Sequence, residues 1–296
     1  MLTDNYHIPV LLQEVLESFD PAPGAVYLDM TFGGGGHSQA LLDTYPDLKI
    51  IGFDWDKEAI ERGQELVEKY EGRLQLIWGS FGHIYKLLKK HKINRIDGIL
   101  ADFGTSHNQI KTGSGFSVHL DTPLDMRMSP SHFRVTAEQI VNYGQPEELC
   151  EIFWKYGEER HTKKIVQAII EARKKKLFKT THELAELIEH VVKRSGHSSI
   201  HPATKVFQAL RIFVNQEMEN ITAFLPVAFE MLQPGGRLAC ISFHSLEDRP
   251  VKQFFQSLVQ EGKGELLFKG AKSASEEEVA SNRASRSAKL RVIKKK

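Results

Sequence analysis

The sequence predicts an α/β fold: a doubly wound, mostly parallel sheet, interrupted after its fourth strand by an all-helical insertion and then completed. Three observations carry this. Apolar runs that close on an acid recur at Val26–Asp29, Lys49–Asp54 and Ile96–Asp102, with helical patterns between them. The alternation then stops for about 100 residues, far longer than an ordinary connection. It resumes after Pro234-Gly235-Gly236 with another apolar run, Arg237 to Phe243.

Taken in order, Leu11, Leu12, Val15, Leu16 and Phe19 set a helical period that Pro21 ends. The first strand breaks into Gly33-Gly34-Gly35-Gly36, and a helix restarts through Ala40 to Leu42 until Pro46. Lys57 to Tyr70 reads as one amphipathic helix, Leu74 to Trp78 as the third strand, and His83 to His91 as a helix before the fourth strand. Phe103 to Met128, rich in Gly, Ser, Thr and Asp, reads as an ordered loop or lid. Helical patterns follow at 137–142, 147–156, 162–175, 181–194 and 203–219, the last renewed to Leu232. After the fifth strand come a helix at 251–260, a short strand at 266–268 and a final one at 289–293. Residues 271–286 between those two read as a solvated loop. A terminal strand pair after five strand units suits the Rossmann-like class I methyltransferase sheet better than a nicotinamide fold.

Composition narrows the class. The chain has 296 residues, 41% hydrophobic and 26% charged, with a formal net charge of +1, so any basic surface is local. Cys150 and Cys240 lie far apart and predict neither a disulfide framework nor a metal site, which fits a reducing compartment. The first residues lack the basic and apolar regions of a signal peptide, and no apolar run reaches the roughly 20 residues of a membrane span. A cytoplasmic protein with no membrane partner is expected.

The glycine turn identifies the ligand. A phosphate loop needs a Gly-Lys-Ser/Thr ending, and Gly36-His37-Ser38 has no lysine. A dinucleotide turn needs G-x-G-x-x-G, and the last glycine is missing. S-adenosylmethionine has no phosphates; its amino-acid end and ribose must lie close over the strand tip, with an acid near the cationic amino group. Asp29-x-Thr31-x-Gly33-x-Gly35 suits that demand. Asp54, closing the second strand, can accept from both ribose hydroxyls, and Asp102 closes the fourth strand beside the point where methyl transfer would occur. Phe81, just past the third strand, can pack on adenine or belong to the core.

Several longer motifs resemble the bacterial 16S ribosomal RNA (cytosine-N4)-methyltransferase (RsmH/MraW) family. They are H-x-P-V-L-L-x-E at His7 to Glu14, T-F-G-x-G-G-H at Thr31 to His37, and G-F-S-x-x-x-D-x-P-L-D-M-R-M at Gly115 to Met128. Further along are Y-G-E-E-R at Tyr156 to Arg160, H-P-A-T-x-x-F-Q-A-L-R-I at His201 to Ile212, and G-G-R-L-x-x-I-S-F-H-S-L-E-D-R at Gly235 to Arg249. The resemblance implies S-adenosylmethionine as cofactor, held by Gly35, Gly36, His37, Asp54, Phe81, Asp102 and Gln109. It also implies a cytidine in the decoding region of 16S rRNA, within the small ribosomal subunit, as the target. The sequence departs from the family at His107-Asn108, where Ser-Pro is usual, and at Asn282 to Ser287, where a proline is missing. A methyltransferase domain is expected over 1–109 and 206–296, and an inserted helical substrate-recognition domain over 110–205.

A cytosine amine is a weak nucleophile, so the site needs in-line positioning and an acceptor for its hydrogen. Asp102 and His244 are the candidates for that chemistry, with Phe103 or Phe243 available to stack. Glu247 and Asp248 are expected to start a helix or grip Arg249. Cations gather in the insertion at Lys163, Lys164, Arg173 to Lys176, Lys179, Lys193, Arg194, Lys205 and Arg211, and in the tail at Arg286, Lys289, Arg291 and Lys294 to Lys296. They form either a solvated face or an RNA platform. The alternatives are an amino-methyltransferase acting on DNA or protein, and a ribosome-assembly factor that has lost catalysis.

Overall fold

The computed structural model describes residues 8–79, 81–104, 114–192 and 201–296, with His83 as backbone only. The chain divides into two compact units, one built from residues 1–104 and 218–296, the other from 105–217.

The first unit is a sheet in the order β3-β2-β1-β4-β5-β8-β6, with β7 pairing β8. Its strands are β1 (Val26–Asp29), β2 (Lys49–Asp54), β3 (Leu74–Trp78), β4 (Gly98–Asp102), β5 (Arg237–Ser242), β6 (Gly264–Leu266), β7 (Lys272–Ser273) and β8 (Lys289–Lys295). The first five pair in parallel, and β8 enters antiparallel between β5 and β6. Because both faces are covered, the strands read as continuous apolar runs. On β4, Ile99 and Ala101 join one core with Phe53, Phe224 and Phe255, whereas Leu100 joins the other with Tyr27, Leu41 and Ile241.

The strand order reverses between β1 and β4, which puts the carboxyl ends of β2, β1, β4 and β5 side by side. Asp54, Asp29, Asp102 and Ser242 therefore line one edge, at a topological switch point. Helices α1 (Leu12–Ser18), α2 (Gly36–Thr44), α3 (Lys57–Arg62), α4 (Gln64–Lys69) and α5 (Ile84–Lys90) belong to this first half.

The second unit holds α6 (Ala137–Tyr143), α7 (Pro146–Gly157), α8 (Thr162–Arg173), α9 (Thr181–Val191) and α10 (Thr204–Val214). Thr136 and Thr180 start α6 and α9 with capping boxes. Asn215 bridges the Met126 carbonyl and the Met128 amide, and Asn142 does the same for both backbone groups of Phe178. These amides tie irregular segments to helices. Helix α11 (Glu217–Met231) leads back to the sheet, followed by α12 (Ser245–Gln260) and α13 (Glu276–Ser281).

Four expectations need correction. The single helix expected over 57–70 is two, α3 and α4, meeting at Gly63, whose amide closes α3 on the Ala59 carbonyl and where a Cβ would clash with Leu76 and Phe32. The patterns at 203–219 and beyond form two helices parted at Asn215. Helix α10 packs along α7, so the helical unit runs to Glu217 rather than ending at 205. Finally, 271–286 is not a solvated loop. It contains β7, α13 and a 3-10 turn (Arg283–Ser287); Ser275 caps α13, and Glu276, Glu277 and Glu278 fill its first turn, where acids suit the helix dipole.

Candidate active site

The glycine turn is pinned from three sides. Met30 donates its amide to the Leu100 carbonyl at 2.8 Å and Phe32 to the Phe53 carbonyl at 2.9 Å, so the chain leaving β1 is fixed to β4 and β2. Gly33 then donates to Asp54 Oδ2 at 2.7 Å, while Asp54 Oδ1 accepts from Asp56 N at 2.8 Å. Gly35 has φ 75°, and a Cβ there would lie 2.6 Å from Phe32 Cζ and 2.7 Å from Leu66 Cδ1. Only glycine fits. The amides that open α2 have no intrahelical carbonyl to reach and form the floor of the turn.

The three acids differ in what they do. Asp29 accepts from Thr31 N at 3.2 Å and from Ser38 Oγ at 2.7 Å, one bond to each oxygen. It is buried and braces the turn from below, which differs from the expectation that it meets a ligand's amino group. Asp102 donates its amide to Thr31 Oγ1 at 2.7 Å, while its Oδ1 is shut off from solvent with no hydrogen-bond partner among the described residues. Burial pushes Asp29 up to about 6 and Asp54 up to about 7, against the N–H and O–H donors that favour their carboxylates. Asp102 rises well above the usual carboxylate range, through burial first and then the charges of Asp29 and Glu247.

His37 sits on α2 with its ring turned inward, Nε2 lying 2.9 Å from the Val10 carbonyl. Burial lowers its pKa to about 4, so the ring is neutral and donates Nε2–H to that carbonyl. Only the backbone of His37 faces the turn. The bond holds a strap, residues 8–11, whose Pro9 ring lies against Gly36. Glu278 Oε1 accepts from Leu11 N at 2.7 Å, and Asn282 Nδ2 donates to the Ile8 carbonyl at 3.1 Å, so α13 and the residue after it clamp the strap from the far end of the chain.

Phe81 packs in an aromatic cluster with Trp55, Phe103 and Phe224, at centroid distances of 5.6, 5.9 and 5.6 Å. Phe103 is 2% exposed, so it cannot stack on a substrate base; Phe243, half-buried beside Gly104, remains available. His244 is the N-cap of α12. Its Nδ1 accepts from Glu247 N at 3.3 Å, which leaves the ring proton on Nε2, 3.2 Å from Glu247 Oε1. Glu247 Oε2 in turn accepts from Phe243 N at 2.7 Å. Glu247 and Asp248 lie in the first turn of α12, as helix-start acids, and Asp248 also grips Arg291 through two bonds of 2.6 and 3.0 Å. Burial raises its pKa, but those bonds and the nearby charges outweigh it and the net shift is downward.

The MraW methylase family matches residues 4–296. The chain belongs to that family. It is 46% identical over 292 residues to the "Ribosomal RNA small subunit methyltransferase H" of Coprothermobacter proteolyticus, covering 98% of this chain and 96% of that one. Proteins of the same name from Endomicrobium trichonymphae (44% over 291 residues, 98% and 99% covered) and Bradyrhizobium diazoefficiens (42% over 304 residues, 98% and 91%) are also similar.

In this MraW methylase the residues singled out from sequence fall into three groups. Gly35, Gly36, His37, Asp54 and Asp102 converge on the glycine turn; Phe81 lies in the aromatic cluster near the ends of β2 and β4, and His244 at the tip of β5. Gln109, Lys193 and Arg194 lie outside the described residues. Among the cations of the helical unit, Arg173 donates Nη1 to the Val141 and Gly144 carbonyls at 2.9 Å each, and Arg211 pairs with Glu217 at 2.8 and 2.9 Å. Arg127 holds Asp125 in the same bidentate way. These guanidiniums support the fold. Lys163, Lys164 and Lys175 are exposed. Sequence reasoning missed Ser38, the hydroxyl of Thr31 and the bond that the buried Glu247, expected only as a helix-start acid, makes to the Phe243 amide. The i, i+9 spacing of Asp29 and Ser38 across a turn could have suggested the first; nothing local suggests the other two. No helix among the described residues is long and apolar enough to cross a membrane.

Proposed function

We propose that this methylase transfers the methyl group of S-adenosylmethionine to N4 of a cytidine in the decoding region of 16S rRNA, within the small ribosomal subunit. The observation that carries the chemistry is Asp102 Oδ1, a buried acceptor without a donor among the described residues, placed beside the glycine turn at the switch point of the sheet. Membership of the family supports the reaction, and the names of the relatives support a ribosomal RNA substrate.

The residues fit the cofactor. Asp54 has lone pairs left for ribose hydroxyls after its two backbone bonds, and the backbone amides of Gly36 and His37 suit a carboxylate at the start of α2, while the Gly35 amide is held by the Phe32 carbonyl at 2.7 Å. Phe81 supplies an apolar wall beside the adenine position, and Gln109 is carried over from the family. When bound, S-adenosylmethionine supplies an activated sulfonium methyl.

Asp102 then has two tasks. It orients the cytosine amine by accepting one of its hydrogens, and it takes the proton as the nitrogen is methylated. Its raised pKa makes it the stronger base once ionised, and a cationic ligand nearby favours that ionisation. His244 acts through Glu247 and the backbone of Phe243, as a positioning residue. The target base must leave its stack to reach this edge. The exposed lysines of α8 and the segment after it, Lys163, Lys164 and Lys175, hold the RNA backbone.

The test is methyl transfer to 30S subunits from a strain lacking the gene, followed by mapping of the modified nucleotide. N4-methylcytidine in the decoding region is expected. Label appearing only in DNA or protein, or no label at all, rejects the proposal.

A further inference from the structure

Away from the glycine turn, α12 and the β6–β8 side of the sheet enclose a cavity of about 300 Å³. Its lining is cationic and apolar without an acid: Lys252, Lys269 and Arg291 stand over Phe255, Leu266 and Val292. Asp248 holds the Arg291 guanidinium in place, and Lys289 comes within 3.7 Å of the same carboxylate, with Lys252 also near it. Lys252 and Lys269 are exposed, which leaves their ammonium groups free to turn toward a ligand. The apolar floor lowers the local dielectric and strengthens any charge contact made above it.

We infer that this corner is an anion subsite that grips a backbone phosphate of the substrate RNA next to the target nucleotide. Two observations select a phosphodiester. Phe255, the aromatic residue of the lining, is 1% exposed, so the cavity offers no face on which a base could stack. And β8 stands two strands from β4 in the sheet order, about 10 Å at roughly 4.8 Å per strand, which keeps a phosphate here close to a base delivered to Asp102. The subsite rests on the proposed RNA substrate, and its residues all belong to the sheet unit.

The experiment compares full-length wild type with Lys252→Ala/Lys269→Ala, and with Lys269→Ala alone, in binding a decoding-region RNA fragment over a range of salt. Loss of this one phosphate contact lowers the slope of log affinity against log salt by about 0.7 on single-stranded RNA. Affinity at moderate salt falls on the order of tenfold. S-adenosylmethionine binding by calorimetry stays at the wild-type value, which confirms the fold. A variant slope equal to wild type overturns the subsite, as does a pocket that serves free anions: inorganic phosphate raising the wild-type Tm with no change in RNA slope. Failure of the substrate reading looks different, as wild-type protein that transfers no methyl to 30S subunits whatever the variants do to the slope.

Discussion

Asp54 Oδ2 accepts the amide of Gly33 at 2.7 Å across 21 residues, so the acid closing β2 holds the turn that follows β1. The same carboxylate is proposed to hold the cofactor ribose. Cofactor geometry and turn geometry are therefore coupled through one group, and its protonation matters. With Asp54 up at about 7, the free protein carries a proton there through much of the neutral range. Binding that needs the carboxylate releases this proton. S-adenosylmethionine affinity is expected to rise with pH through about 7 and level off above it. Calorimetry in buffers of different ionisation enthalpy reads the released proton directly; a pH-independent affinity from mildly acidic to mildly alkaline conditions would contradict the role.

Stability of the free protein follows the opposite sign. Asp29 and Asp54 have folded pKa values above the unfolded one, so between about 4 and 7 the folded state binds more protons than the unfolded. Their contribution is most favourable below that window and declines as pH rises through it. Thermal melts should show Asp54→Asn losing less Tm than wild type between pH 5 and about 7.5. Parallel pH curves for the two proteins would show that Asp54 does not titrate there.

Asp102 is expected to separate binding from turnover. Asp102→Asn should keep cofactor affinity within a few fold while kcat drops by about 10² to 10⁴. Wild-type turnover in that variant removes Asp102 from the chemistry.

His244 is the N-cap of α12, and the cap can be kept while the imidazole is removed. His244→Asn preserves a capping acceptor and should retain most of the turnover; His244→Ala should cost about 1 kcal/mol of stability. Collapse of kcat in the Asn variant with an unchanged melt would make the imidazole the base instead.

The strap over the glycine turn is held by Glu278 and Asn282. Glu278→Ala should speed hydrogen exchange at the Leu11 amide and weaken S-adenosylmethionine binding, and Glu278→Gln, which still offers an acceptor, should restore both. Exchange at Leu11 that ignores the substitution would show that the strap is held without this bond.

Much of the sheet was legible because its signals are local. Runs such as Ile99-Leu100-Ala101 are apolar at every position since both faces are covered, and β1, β2 and β4 each end in an acid where the strand stops. The glycine turn was legible for the same reason. What escaped is carried by bonds between distant residues: Thr31 to Asp102 across 71 positions, Glu278 to Leu11 across 267, Asp248 to Arg291 across 43. Composition also misled. The run from Ser275 to Glu278 is as polar as any solvated loop, yet a capping serine followed by three glutamates makes a helix start, and that helix holds the strap. The basic residues Arg173 and Arg211 looked like Lys163 and Lys164 until their carbonyl and carboxylate partners were seen.

The position of β8 has a consequence for biogenesis. The strand latest in the sequence lies in the interior of the sheet, between β5 and β6, and both of those partners precede it along the chain. While a ribosome is still making residues 289–295, the outer edge of β5 stays unzipped, with its backbone donors and acceptors open to other nascent chains. Sheet closure on this side thus waits until residues 289–295 are available to pair. A chain cut before β8 would leave the outer edge of β5 unpaired.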